Sequence, residues 1–205
     1  MVHTVATLRA SIDALCTIEP GMAQAIRRIG YPEPRVRPPG YDTLLRTIVG
    51  QQVSVAAAAS VWAKLEGLLG DGCPPDILLK QDYDSLRACG LSRQKQGYAR
   101  SLAELVVSGG IDLHALPEDD EAAIAALVKI KGIGRWSAEI YLLFAEGRPD
   151  IWPAGDLAVQ IAIGELVGMD ARPDEKAVRA RAEGWRPHRS AAAILAWHHY
   201  NGATL

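Results

Sequence analysis

Leu127-Val-Lys-Ile-Lys-Gly-Ile-Gly-Arg-Trp-Ser-Ala-Glu-Ile-Tyr141 reads as a helix, a tight turn and a second helix. Gly132 and Gly134 permit positive φ and a close approach of backbone to a ligand. The turn runs straight into a helix N-terminus, where free N–H groups and the helix dipole favour an anion. Lys129, Lys131 and Arg135 surround it, and no acidic residue falls between Leu127 and Ala138. A nucleic-acid phosphate suits such a place and would be gripped without reading base sequence. The same pattern also serves as a plain helical corner. It is not a dinucleotide fingerprint, because no strand precedes it and a third glycine is missing at the required offset.

Outward from this hairpin, helical periodicity dominates and strand alternation is scarce. Leu8, Ile12 and Leu15 form one stripe of a helix over 4–18, and a second helix covers about 22–29. Four prolines between Tyr31 and Gly40 make an extended connector. Asp42 is expected to cap a helix over 43–50, and Ser54 a longer alanine-rich one to about Leu69. Short helices follow near 76–80 and 83–89. Ser92 caps 93–107, and Asp119 or Asp120 opens a helix to about Val128. After the hairpin helix, Gly147-Arg-Pro149 is a break, Asp156 opens a helix to about Val167, and two more cover about 174–183 and 187–200. The expected fold class is all-α, with roughly a dozen short helices.

With 205 residues and 49% hydrophobic content the chain can build a real core. No apolar run approaches the roughly 18–20 residues that span a bilayer. No signal peptide is read at Met1 to Ser11, so the expected compartment is cytoplasmic, nucleoid-associated if prokaryotic. Cys16, Cys73 and Cys89 lie far apart and are odd in number, so no iron–sulfur or zinc site is expected. His188, His198 and His199 lack metal-ligand spacing. The net charge of −2 does not by itself advertise a nucleic-acid binder.

The hairpin is followed by Arg148-Pro-Asp-Ile-Trp-Pro-Ala-Gly-Asp156, in which Asp156 lies twenty residues after Trp136. Together they resemble the helix-hairpin-helix DNA glycosylase superfamily, whose hairpin precedes a Gly/Pro-rich loop ending in Asp. Leu44-Leu-Arg-Thr-Ile-Val-Gly-Gln-Gln-Val-Ser54 is similar to the family's early helix, and Gly90-Leu-Ser-Arg-Gln-Lys95 to its DNA-wedging turn. Trp185-Arg-Pro-His-Arg-Ser190 and Ala196-Trp-His-His-Tyr200 resemble the alkylpurine branch, the 3-methyladenine DNA glycosylase II group, in a compact form without the N-terminal β-domain. The resemblance covers about residues 41 to 200. It implies two helical lobes with a cleft: 1–75 with 149–205 as one, and 76–148, carrying the hairpin at 127–145, as the other.

Cleaving an N-glycosidic bond builds positive charge on the sugar. A fixed carboxylate near the anomeric carbon stabilises that state and can orient water. Asp156, at a helix start, is the candidate; its competing reading is a helix cap and nothing more. Asp150, in the same loop, is taken as a surface residue. The resemblance places a Schiff-base lysine of strand-cutting members at Trp136, so a monofunctional enzyme without lyase activity is expected. An indole face stacks well on a cationic base, which favours N3-methyladenine and N7-methylguanine.

The resemblance further implies base flipping, a base pocket of Trp136, Trp197, Tyr141 and Gln51, backbone contacts from Gly132, Gly134, Arg135, Lys131 and Lys129, and Arg93 as the wedge, with Lys95 and Arg100 making that region locally basic. Ile140 stands where a more strongly stacking branch has an aromatic residue. Trp62 and Trp185 are assigned to packing. A sodium or potassium ion on the carbonyls of Val128, Ile130 and Ile133 is implied by the family, and no other cofactor. The expected partner is duplex DNA with damaged bases, bound by a monomer, with no membrane association. Two alternatives stand beside this reading: a glycosylase for deaminated or oxidised bases, and a non-catalytic DNA-binding module.

Overall fold

The computed structural model describes residues 4–202, so the outermost three positions at each end of the expected terminal lobe lie outside the described residues. Among the described residues it contains twelve α-helices, one 3-10 turn and no strand. No helix is long and apolar enough to cross a membrane.

The chain divides into two compact units, Met1–Val36 with Leu142–Leu205, and Arg37–Tyr141. Residues 37–75 therefore fall in the middle unit instead of with the termini. The reason is packing: α3 (Tyr41–Gly50) lies on α4 (Val55–Leu69) and on α7 (Arg93–Val107). The second boundary falls inside α9 (Arg135–Phe144), seven residues earlier than the loop at 149.

In the terminal unit, α1 (Val5–Ile18) starts at a reciprocal Thr4–Thr7 capping pair and buries Leu8, Ile12 and Leu15 against α2 (Pro20–Ile29) and α12 (Arg189–Gly202). The stripe at i, i+4, i+7 is the reason it packs as a helix. α10 (Leu157–Leu166) packs along α12, and α11 (Glu175–Arg181), capped by Asp174, leads into a 3-10 turn over Ala182–Trp185. The Pro-rich connector after Gly30 carries no helix, as its prolines require.

In the middle unit α3 begins two residues earlier than the sequence expectation. Gly40, at φ 117°, is the cap position. Asp42 lies inside the first turn and takes Arg46 Nε at 3.1 Å, because an i, i+4 ion pair competes with capping for the same carboxylate. Ser54 and Ser92 cap α4 and α7 through the N–H groups of Ala57 and Lys95. α5 (Pro75–Lys80) packs on α7, and α6 (Tyr83–Ala88) precedes it. α8 (Asp120–Val128), capped by Asp119, leads into the hairpin and α9.

Candidate active site

In the middle unit the hairpin turn is fastened from three sides. Gly132 has φ +85°, and a Cβ there would lie 2.3 Å from the ring of Tyr98. Both facts demand glycine. Gln51, at the end of α3, donates its amide N–H to Gly132 O at 2.8 Å. Lys131 N–H donates to Ser101 Oγ on α7 at 3.3 Å. Gly134 is different: it is absent from the positive-φ glycines and open space surrounds its Cβ direction. Only the first of the two glycines is needed for conformation.

Arg135 does not present a free charge to DNA. Its guanidinium forks onto Glu121 of α8, with Nη1–Oε2 at 2.9 Å, while Nε donates to Glu139 Oε1 at 2.9 Å. The hydrogen bonds to Glu121 and the charge of Glu139 hold it still more firmly protonated. The acid-free window read from the sequence ends one residue short of Glu139, and Glu121 reaches in from fourteen residues earlier. Arg135 thus ties α8 to α9, so its charge is paired within the protein where the sequence suggested a phosphate contact. Lys129 and Lys131 are exposed, with no ion pair among the described residues, and they are the cations the hairpin offers.

Beside the hairpin lies a cavity of about 840 Å³ lined by Trp136, Ser137, Ile140, Gln51, Thr47 and Asp42, among others. Such a volume falls in the range of small-molecule sites. Trp136 is 47% exposed, unusual for an indole. Tyr141 is not among the lining residues. It is buried, and its hydroxyl accepts the Gly40 N–H at 2.8 Å, fixing the start of α3. It belongs to the framework, because the helical turn that points Trp136 and Ile140 to the cavity points Tyr141 inward.

The region around the expected wedge is less basic than its composition. Lys95 Nζ donates to Val49 O at 2.7 Å, and burial pushes its ammonium below the ordinary lysine range. Arg100 donates to Leu79 O and Gln81 O. Both cations cap helix C-termini. Arg93 is exposed at the first position of α7, with its guanidinium 5.3 Å from the ring of Tyr83.

In the terminal unit, Asp156 caps α10. Its Oδ1 accepts the Val159 N–H at 3.0 Å and the indole N–H of Trp197 at 3.2 Å. The carboxylate is half-buried, after the buried wall Ile151–Ala154. Trp197 lies in α12, tilted at 32° against Phe144 with ring centroids 5.5 Å apart. Its polar edge is spent on Asp156, a pairing that no spacing in the sequence signals.

Asp150 is no surface residue. Arg189 reaches it through Nε–Oδ1 and Nη2–Oδ2, both at 2.9 Å, and Arg186 Nη1 adds a bond at 2.7 Å. Nothing in the spacing of Asp150 and Arg189, thirty-nine residues apart, signals this pair. Trp62 and Trp185 are core, as expected: Arg46 stacks 3.7 Å from the Trp62 ring, and Trp185 donates to buried Glu19 at 3.0 Å. His199 bonds Glu165 of α10 at 2.8 Å, and among the described residues no group of His, Cys, Asp and Glu could hold a metal.

The family described as HhH-GPD superfamily base excision DNA repair protein matches residues 45–187. DNA-3-methyladenine glycosylase 1 of Schizosaccharomyces pombe is 32% identical over 161 residues, 77% of this chain and 71% of that protein. The crystal structure of DNA-3-methyladenine glycosidase from Bacillus halodurans superposes with a TM-score of 0.84 at 28% identity, covering 95% of this chain and 90% of the other. The S. pombe 3-methyladenine DNA glycosylase in complex with abasic DNA gives a TM-score of 0.79 at 28% identity, with 96% and 97% covered. With its helical hairpin, its Gly/Pro-rich loop and its capping aspartate, this chain belongs to the HhH-GPD superfamily of base excision DNA repair proteins.

Proposed function

We propose that this protein is a monofunctional DNA glycosylase that hydrolyses the N-glycosidic bond of alkylated purines, N3-methyladenine and N7-methylguanine, in duplex DNA. The observation that carries the reading is Asp156, a carboxylate fixed at the start of α10 by two N–H donors and flanked by a rigid, buried loop wall. As the C1′–N bond breaks, its electron pair leaves with the purine and positive charge grows on the sugar. A carboxylate held in place costs no reorganisation at that moment and stabilises the cation. Water adds to C1′ and gives up a proton, for which the same carboxylate is a competent acceptor.

Trp136, half exposed on its cavity, offers a π face to a flipped base, and a cationic alkylpurine takes the most from it. Lys129 and Lys131 hold the backbone with the N–H groups of the hairpin. Arg93, exposed at the start of α7, fills the place of the flipped nucleotide. A sodium or potassium ion would lie on the carbonyls of Val128, Ile130 and Ile133. The Ile130 carbonyl accepts from Ile133 N–H at 3.0 Å and keeps a lone pair for it. Bound there, the ion supplies positive charge toward a phosphate.

The test is to incubate methylated DNA with purified protein and identify the released bases by chromatography. Release of 3-methyladenine and 7-methylguanine is expected. Binding without release, or release only of deaminated or oxidised bases, would replace this reading.

A further inference from the structure

The loop from Arg148 to Asp156 contains no helix, so its backbone groups need partners from elsewhere. In its second half Ala154 and Asp156 donate within the loop, to Trp152 O and Pro153 O, and Gln160 of α10 donates to Ala154 O at 2.9 Å, whereas the partners of its first half come mostly from the first turn of α12. Ser190 N–H donates to Pro149 O at 3.0 Å. Ser190 Oγ donates to Arg148 O at 2.6 Å and accepts the Ile151 N–H at 3.0 Å. Arg189 Nη2 donates to Asp150 O at 2.8 Å while its guanidinium forks onto the Asp150 carboxylate. Arg189 and Ser190 are both buried, at 7% and 0% exposure. Two turns further along the same helix, Trp197 donates to Asp156 Oδ1.

One helix therefore grips the loop at both ends. The seven residues from Ser190 to Trp197 span about 10 Å of rigid rod, so the setting of α12 fixes the setting of Asp156. The geometry points to Arg189 and Ser190 as positioning residues for the Asp156 carboxylate, an assignment that rests on Asp156 being the catalytic group. They touch neither base nor sugar. Their work is to keep the loop from sliding along α12, since a misplacement of about 1 Å in a reacting group can cost roughly a hundredfold in rate.

Ser190→Ala removes the side-chain bonds to Arg148 O, Ile151 N–H and Ile151 O. Arg189→Lys keeps the charge and loses the fork, and it carries the test if the first variant does not fold. Leu78→Ala, in the buried face of α5 in the middle unit, serves as a control destabilised away from the loop and from α12. Each is compared by thermal melting, by affinity for duplex DNA carrying a non-cleavable abasic analogue, and by single-turnover excision of 7-methylguanine below the melting transition. DNA affinity should hold within about twofold, while excision by Ser190→Ala and Arg189→Lys falls about tenfold or more. The folded Leu78→Ala control should excise at the normal rate. Rates for the two α12 variants that fall no further than the control overturn the assignment. Asp156→Asn, run alongside, separates the two levels: if it excises normally, the reading of Asp156 itself is wrong, whatever the α12 variants do.

Discussion

Asp156 carries two loads that one substitution can separate. As a cap it accepts the Val159 N–H, and as a charge it faces whatever cation forms nearby. In Asp156→Asn the amide oxygen still accepts a capping bond, so the stability loss should stay at or below about 1 kcal/mol. Excision should fall by a factor of about 100 or more, because fixed charge at a developing cation is a large catalytic contribution. Melting temperature and single-turnover rate on one preparation decide between the roles; a cap-only aspartate would show lower melting with near-normal turnover. Trp136 makes a second residue-scale prediction. An indole cannot form a Schiff base, so borohydride trapping on damaged DNA should give no covalent adduct. A clear adduct would identify another amine as a nucleophile and end the monofunctional reading.

At the scale of elements, the hairpin divides its cations by task. Lys129 and Lys131 are exposed, while Arg135 is spent on Glu121 and Glu139. Replacing either lysine by alanine should weaken binding to any duplex and lower the slope of log K against log salt by about 0.9 for each phosphate left without its cation. Arg135→Gln should leave that slope nearly unchanged. It removes the ion-pair partner of Glu139, whose side chain is 3% exposed, and should cost about 1–3 kcal/mol of stability. Salt titrations and melts of the three variants test the division, and an Arg135 variant that flattens the salt slope while melting normally would reverse it. The N-terminal half of α7 repeats this economy, since Lys95 and Arg100 close the C-termini of α3 and α5 and leave Arg93 at the surface.

Across the whole molecule, several carboxylates are held below their ordinary range: Asp76 by the Lys80 ammonium, Asp82 by the Ser85 N–H it caps, and Glu183 by Arg186. In the folded state they stay ionised at pH values where the unfolded chain already binds protons. Their contribution is therefore present above the unfolded value of roughly 4 and is lost as pH falls through the lower folded values. The melting temperature should drop between about pH 5 and pH 3, less steeply in high salt because all three groups are exposed. A melting temperature that rises over that interval would contradict the sign. Burial also pushes the Cys73 thiol up to about 12 and raises that of Cys89. Both should resist alkylation in the native protein at neutral pH and react on unfolding, which a timed labelling experiment with mass detection would read.

The sequence alone determined what depends on neighbours three or four residues away. The caps at Ser54, Ser92, Asp119 and Asp156 are legible because a short side chain meets the N–H group three positions on. The core stripe of α1 and the Pro-rich connector follow from periodicity and from the missing proline N–H. The hairpin and the aspartate after it were legible for the same reason, since glycines, lysines and loop lie close together along the chain. Only the tertiary structure decided which charges remain at the surface. Arg135 reads as a phosphate contact, Lys95 and Arg100 as a basic region beside the wedge and Asp150 as surface, and each bonds a partner from another element. It also decided that Tyr141 fixes Gly40 instead of lining the cavity, that residues 37–75 join the middle unit, and that α12 holds the loop leading to Asp156. Pairing across tens of residues leaves no periodic trace, because it is selected by packed geometry and the cost of burying an unpaired charge, neither of which exists until the chain is folded.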